Sequence, residues 1–492
     1  MDAGYRRIRT YTGAGLPGVQ VNKGKTRIRI KTLIAAVASV LLIMLSAGCG
    51  SGTEHDGRNP DGSVSITMAG WALDTRPEFR ALAAAFHQSH PNITLTVKEY
   101  SADDYDTQLI ADLSAGKAPD VFPIKNLKMY YAYASPAALA DLSDEMGSLK
   151  GDTNIPSLED YILNGKSYAL PYRQDAWLLY YNATMLRSLG IEIPDGSWTW
   201  DSYMAICREI KDSLRDKGEN GVYPTYHHTS MQSLPQAIAL AQSSLDSSST
   251  GTTGDGVRSG ALQETKERNQ AERRLFFSGD YTYLKAMYSL FLTMQDEQLT
   301  LGYNTISSSN TTYQSQFGMQ KAVLLLMGSW FMGPLAQQQA QGDAEAFDWG
   351  VTSLPQVSEG TTEHPITFGD PTGFAVSADA PEAKKEAAKA FVKWAAGPKG
   401  AMVTASTGSV PAYMSDAALD TFFANKGLPQ DEESRTVIQR SVIQQENPVG
   451  EATQVIQDEL SIAQSSILSE TKSAGEAITK AEHAIANTGL LP

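Results

Sequence analysis

From Val64 to Phe122 the chain alternates apolar strands and amphipathic helices in the order β-α-β-α-β. That order restricts the fold more than any other feature, because it calls for a sheet covered by helices on both faces. Val64 to Ala69 reads as the first strand. Thr75-Arg76-Pro77-Glu78 has the form of a capping box with proline in the first turn. Phe79, Leu82, Ala83 and Phe86 follow at helical spacing, and Pro91 ends the unit. Ile93 to Val97 alternates as a strand. Tyr105, Leu109 and Leu113 form a second helical stripe closed by Gly116, and Pro119 to Phe122 starts a third strand.

A different pattern precedes this region. Arg27-Ile28-Arg29-Ile30-Lys31 is a basic cluster, followed by fourteen uncharged residues from Thr32 to Leu45 and then Ser46-Ala47-Gly48-Cys49. A basic segment, a short apolar core and small residues describe a signal peptide. The core is short for a membrane-spanning helix, which needs roughly 20 residues. The end resembles the bacterial lipobox, whose cysteine is acylated and becomes the first mature residue; the large aliphatic residue expected three positions before it is Ser46, with Leu45 one place further out. Residues 1–48 are therefore expected to be a signal peptide with an N-terminal extension, Cys49 the lipidation site, and 49–62 a flexible tether.

Composition excludes several functions. Of 40 basic residues, eight lie in the first 48 positions together with a single acid, Asp2. The remainder carries 32 basic and 54 acidic residues, a net charge of -22, which repels nucleic acid. Two cysteines, Cys49 and Cys207, allow neither a disulfide framework nor a multi-cysteine zinc site. Cys207 lies in an apolar helical stretch and reads as a buried thiol. His227-His228 is a poor metal pair because adjacent side chains diverge and nothing nearby completes a ligand set. No metal or cofactor is expected.

Further along, Asn164-Gly165 between two apolar runs signals a hairpin, and Trp177 to Tyr181 a strand. Thr199-Trp200-Asp201 opens a helix. Residues 243–260, rich in Ser, Thr and Gly, read as an exposed insertion. Ala322 to Met327 and Trp349 to Val351 are short strands. Asp379-Ala380-Pro381-Glu382 caps a helix, and Ser473 and Glu476 cap the last one.

Five stretches, in order, resemble the carbohydrate-binding branch of bacterial ABC-importer solute-binding proteins, the maltose-binding type. They are Gly116 to Val121, Gly165 to Tyr172, Leu179-Tyr180-Tyr181-Asn182 with Trp198-Thr199-Trp200-Asp201, Lys321-Ala322 through Gly328-Ser329-Trp330, and Asp348 to Val351 with Leu354-Pro355. The usual glycine before Lys321 is Gln320. The resemblance runs from about Val64 to the C-terminus. It implies an α/β fold of two lobes, each a sheet flanked by helices, joined by a hinge crossed more than once. The expected N-lobe is 63–172 plus 376–412, and the C-lobe 173–375 plus 413–492. It also implies a monomer on the outer face of the bacterial cytoplasmic membrane that captures a sugar or oligosaccharide and delivers it to ABC permease subunits served by a cytoplasmic ATPase.

A sugar cleft needs planar polar groups for hydroxyls and aromatic faces for C–H patches. Trp330 matches a family tryptophan that stacks on sugar; its other role is a core residue under the C-lobe sheet. Trp71 ends the first strand at the carboxyl edge, where open α/β sheets bind ligands. Asp175 and Trp177 occupy the first crossing, and Asp175 matches a cleft carboxylate of the maltose-binding type or forms a hinge salt bridge. Gly369-Asp370 precedes the second crossing and is expected to face the cleft. Lys125 and Asn126 follow the third strand and either reach hydroxyls or face solvent. Two other classes compete: the same fold binding a peptide or polyamine, for which Asp175 and Asp370 would supply carboxylates, and a surface glycosidase. The pairs Asp103-Asp104 and Glu432-Glu433 give no support to the glycosidase, which needs two carboxylates flanking one bond.

Overall fold

The computed structural model describes residues 56–134, 137–193, 195–230, 232–243, 257–358 and 364–491. The signal segment, Cys49, most of the tether and most of the expected insertion at 243–260 lie outside them. The described end of the tether is bound to the body: Ala383 N–H donates to the Asp56 carbonyl at 2.9 Å, and Arg58 bridges Val64. At the other end of the insertion, Val257 already opens the helix Val257–Phe276.

Two sheets organise the chain. The strands, in order, are β1 (Val64–Trp71), β2 (Ile93–Tyr100), β3 (Val121–Ile124), β4 (Ile162–Leu163), β5 (Lys166–Ser167), β6 (Ala169–Gln174), β7 (Trp177–Asn182), β8 (Tyr223–His227), β9 (Ala322–Gly328), β10 (Trp349–Thr352), β11 (Ile366–Phe368), β12 (Pro371–Val376) and β13 (Val442–Gln444). The first sheet has the order β2-β1-β3-β12-β6, with β1 parallel to β2 and β3, and β12 antiparallel to both its neighbours. The second has the order β10-β7-β9-β8, with β8 and β9 parallel and β7 antiparallel to β9 and β10. Strands covered on both faces lose the period-two pattern. All seven residues of β9 are buried, whereas the first half of β1 alternates.

Each sheet has its own core. In the first, Phe79, Leu82 and Phe86 of helix Glu78–Ser89 pack inward, and Phe86 meets Phe391 of the late helix Glu382–Ala396 edge-on at 5.3 Å. In the second, Cys207 and Tyr203 of helix Trp200–Lys217 are fully buried, and burial pushes the Cys207 thiol well up. Asn164 and Gly165 both take positive φ, as the β4–β5 hairpin turn requires.

The chain passes between the lobes at Asp175-Ala176, at Gly369-Asp370, and again after Val410. The passages lie further into the expected C-lobe segment than the sequence reading placed them. Arg173, Gln174 and Pro371–Ala375 were expected in the C-lobe. They belong to β6 and β12, because the antiparallel pairing of those strands carries the first sheet to the edge of the hinge. Val410 and Ala412 hydrogen-bond to β6, through Gln174 N–H to the Val410 carbonyl at 3.1 Å and Ala412 N–H to the Tyr172 carbonyl at 3.0 Å.

Candidate functional site

Strand direction brings the candidate residues together. In the first sheet β1, β3 and β6 run the same way, so Trp71, Lys125 and Arg173 reach one edge, where β12 begins just after Asp370. In the second sheet Trp177 starts β7 opposite Gly328, so β8 and β9 end beside it, presenting His227-His228 and Ser329-Trp330. The two edges face each other across the hinge. A cleft of about 230 Å³ is lined by Arg76 and Glu78 from the first lobe, Trp330 and Pro334 from the second, and Gly408 and Ser409 near the third passage.

Trp330 is half-buried and lines this cleft. Its ring lies on the backbone of Gly328, so close that a β-carbon there would meet the ring at 1.9 Å. Its edge-on contact with Trp177 is 5.1 Å between centroids, and it hydrogen-bonds the Tyr313 hydroxyl. Trp177 itself is completely buried, stacked on Phe368 at 5.3 Å, and its indole N–H donates to Glu446 at 3.3 Å. It supports the Trp330 platform and offers no face to the cleft.

Trp71 is only 3% exposed. Phe79 and Tyr105 meet its ring edge-on at 4.9 and 5.1 Å. The Arg76 guanidinium lies over it at 5.9 Å and the Lys125 ammonium at 5.4 Å. The expected bare stacking face is therefore covered by two cations. Lys125 donates to the Ala102 carbonyl, and Asn126 donates to Asp106, whose second oxygen accepts from Tyr133. Burial lowers the Lys125 pKa, and Arg76 and Arg173 lower it further against the opposing influence of Asp106 and Asp103.

Asp175 forms the hinge salt bridge that was its second possible role. Arg173, 6% exposed, reaches Asp175 at 3.1 Å, Glu78 at 3.3 Å and the Thr372 hydroxyl at 3.0 Å. Asp175 also accepts from the Ser329 hydroxyl at 3.4 Å, which ties the first passage to the Trp330 loop. At the second passage Gly369 N–H donates to the Gln444 carbonyl at 2.9 Å. Asp370 is fully engaged by Asn447, whose backbone N–H and side-chain amide donate at 3.0 and 2.6 Å. Burial raises the Asp370 pKa; burial and then Asp370 raise that of Glu446.

His227 and His228 diverge. His227 turns into the core, where Tyr203 contacts its Nε2 at 3.1 Å; His228 turns to the Tyr226 hydroxyl at 2.9 Å and meets the Tyr313 ring at 5.3 Å. Burial pushes them down to about 3 and about 4.

Sequence reasoning missed Arg76, Glu78 as an ion-pair partner, Arg173 and Tyr313. Arg76 and Glu78 were assigned to a capping box. The structure has no such box: the helix opens at Pro77 with no side-chain cap, and Thr75 donates its hydroxyl to the Ala72 carbonyl. Glu78 turns to Arg173 and Arg76 instead. Pro381 likewise opens its helix without a side-chain cap, whereas the Ser473–Glu476 box forms. Among the described residues no helix is long and apolar enough to cross a membrane.

Comparison with known proteins agrees with this geometry. Residues 72–402 match the family described as bacterial extracellular solute-binding protein. The melibiose/raffinose/stachyose-binding protein MelE of Bacillus subtilis is 24% identical over 389 residues, covering 78% of this chain and 82% of the relative. The multiple sugar-binding protein of Streptococcus mutans is 23% identical over 73% of this chain and 76% of its own length. A sugar transporter from Rhizobium etli, solved in an open conformation, superposes with a TM-score of 0.69 at 25% identity, covering 86% of this chain and 99% of that one.

Proposed function

The chain belongs to the bacterial extracellular solute-binding proteins, and on that premise we propose that it captures a sugar or oligosaccharide between its lobes and hands it to an ABC permease. The observation that carries the reading is Trp330. It is a half-buried indole on the inter-lobe cleft, braced by Gly328 and Trp177, with polar groups of both lobes around it. An aromatic face among fixed donors and acceptors suits a ring that has C–H patches and hydroxyls. The sugar names carried by MelE and the Streptococcus mutans protein support the same class.

The site residues proposed for capture are Trp330 with Arg76, Lys125 and Tyr313. Trp71, Trp177, Asn126, Asp175, Gly369 and Asp370 position them. The protein binds and does not turn its ligand over. It works as a monomer, held by lipid on Cys49 at the outer face of the cytoplasmic membrane. Stable anchoring needs more than one acyl chain.

A thermal-shift screen of the detergent-solubilised protein against mono- and oligosaccharides tests the ligand class. A ligand at about 100 times its dissociation constant stabilises by ~2.7 kcal/mol. Stabilisation by peptides or polyamines and by no sugar would move the ligand to another class. Chemically intact ligand recovered after incubation is the expected outcome; hydrolysed product would make the protein an enzyme. Fatty-acid labelling that survives Cys49→Ala would remove the anchor.

A further inference from the structure

Among the described residues that line the cleft, Trp330 is the only aromatic. One face of its indole lies on the backbone of Gly328, its edge meets Trp177, and its N–H donates to Tyr313. A single face is left toward the cleft. The other tryptophans at the two edges offer none. Trp177 is completely buried, and Trp71 is 3% exposed with Arg76 and Lys125 over its ring. A sugar chain gripped along several rings needs an apolar face for each ring, and this cleft supplies one.

The space agrees with that count. The cleft holds about 230 Å³. Pockets that enclose drug-sized molecules start at roughly 300 Å³, and a disaccharide is already about that size, whereas a hexose is about half of it. The cleft ends where helix Met332–Gln341 meets two loops. A β-carbon on Gly333 would lie 2.7 Å from the Gly408 carbonyl oxygen, and one on Gly427 would lie 3.0 Å from the Ala336 β-carbon. The helix therefore sits directly against both loops, and no second ring passes between them. Elsewhere the lining residues Ala340 and Lys426 are exposed, so the cleft opens to solvent there.

Fixed polar groups accompany the one face. Arg76 and Glu78 are paired at 3.4 Å. Asn425 donates to the Ala405 and Phe422 carbonyls at 2.8 and 2.7 Å, which orients its own carbonyl oxygen as an acceptor. Gln337 and Ser409 add an amide and a hydroxyl to the lining. These groups suit the hydroxyls of a ring held on Trp330, and a further ring beyond them exchanges water for water.

Resting on the sugar reading above, we propose that the cleft grips a single ring: a monosaccharide, or the terminal ring of an oligosaccharide whose remaining rings stay in solvent.

Calorimetry on the detergent-solubilised protein tests this with four series of increasing length. They are glucose to maltotetraose, glucose to cellotetraose, xylose to xylotetraose, and galactose through melibiose and raffinose to stachyose. In a series that binds, the longest member is expected to match the monosaccharide within about tenfold. Trp330→Ala should weaken every member by the same factor. Ala340→Trp, at an exposed position on the lining, should weaken every member at least about tenfold by occupying the place of the ring. Circular dichroism serves as the folding control, and either variant suffices if the other fails to fold. Affinity that rises more than about tenfold along a series overturns the single-ring assignment and leaves the sugar reading standing. A monosaccharide that fails to bind where its oligomers do has the same consequence, as does a folded variant that binds like the parent or loses more affinity for longer members. Binding of no member of any series removes both readings.

Discussion

The carbonyl oxygen of Asp175 and the α-carbon of Gly369 lie so close that a β-carbon on Gly369 would sit 2.1 Å from that oxygen. The first two passages between the lobes are therefore in backbone contact, and the second passage needs glycine because no side chain fits. Gly369→Ala should push the passages apart and cost about 1–3 kcal/mol, the usual effect of overpacking a tight site. Chemical denaturation checks the stability, and ligand titration should show weaker binding, since the two edges of the cleft diverge from this point.

Trp330 and Trp71 should separate cleanly on truncation. Trp330→Ala removes a cleft face and is expected to cost about 2–4 kcal/mol of binding with a small change in melting. Trp71→Ala deletes a buried ring packed between Phe79 and Tyr105, so it should lose about 3–5 kcal/mol of folding stability. Parallel calorimetry and thermal unfolding distinguish the two. A Trp330→Ala protein that unfolds would return Trp330 to the core.

Arg173 anchors two buried acids. Arg173→Met leaves Glu78 and Asp175 without their shared partner, and breaking a buried pair from one side costs about 3–5 kcal/mol. The triple replacement Arg173→Met, Glu78→Gln, Asp175→Asn should recover much of that loss, because no buried acid is then left uncompensated and only the partly exposed Arg76 loses its carboxylate. Urea unfolding of the two proteins provides the comparison.

Acid should destabilise the fold through His228. Its folded pKa is pushed down to about 4 from an ordinary 6.5 by burial beside Tyr226 and Tyr313. Between those values the unfolded chain takes up a proton that the folded chain refuses. Stability is therefore full above 6.5 and falls as pH drops toward 4. His228→Asn should flatten the wild-type slope by up to about 1.4 kcal/mol per pH unit over that window. Thermal melts at closely spaced pH values measure the difference.

Local signals in the sequence were legible where the chemistry is local. Asn164-Gly165 specifies its hairpin because two positive φ angles are needed within two residues. The Ser473–Glu476 box forms at an exposed helix start, where the Glu476 carboxylate accepts from the backbone N–H and hydroxyl of Ser473. The Thr75–Glu78 box has the same pattern and fails because Arg173, distant in sequence, recruits the carboxylate. Trp71 was correctly placed at the carboxyl edge of β1, yet its covering by Arg76 and Lys125 depends on two loops whose approach no periodicity records. Asp175 had two open roles, and the choice between them rested on Arg173, two positions away but facing the same edge across the β6 end. The sequence reading thus recovered β1, β2, β3, β7, β9, β10 and the hairpin but not β8, β11, β12 or β13, and the ion pairs that fill the edge are products of tertiary assembly.

The position of β12 bears on how the molecule is made. It lies between β3 and β6 in the first sheet, yet it is the last of the five strands in the chain and follows all four strands of the second sheet. Until Pro371–Val376 arrives, β6 has no neighbour in that sheet and the edge of β3 stays open. Loop closure over that separation is slow relative to local pairing. A nascent or partly threaded chain therefore keeps its first lobe unsealed, and closure of that lobe reports that the strands of the second sheet have already been delivered.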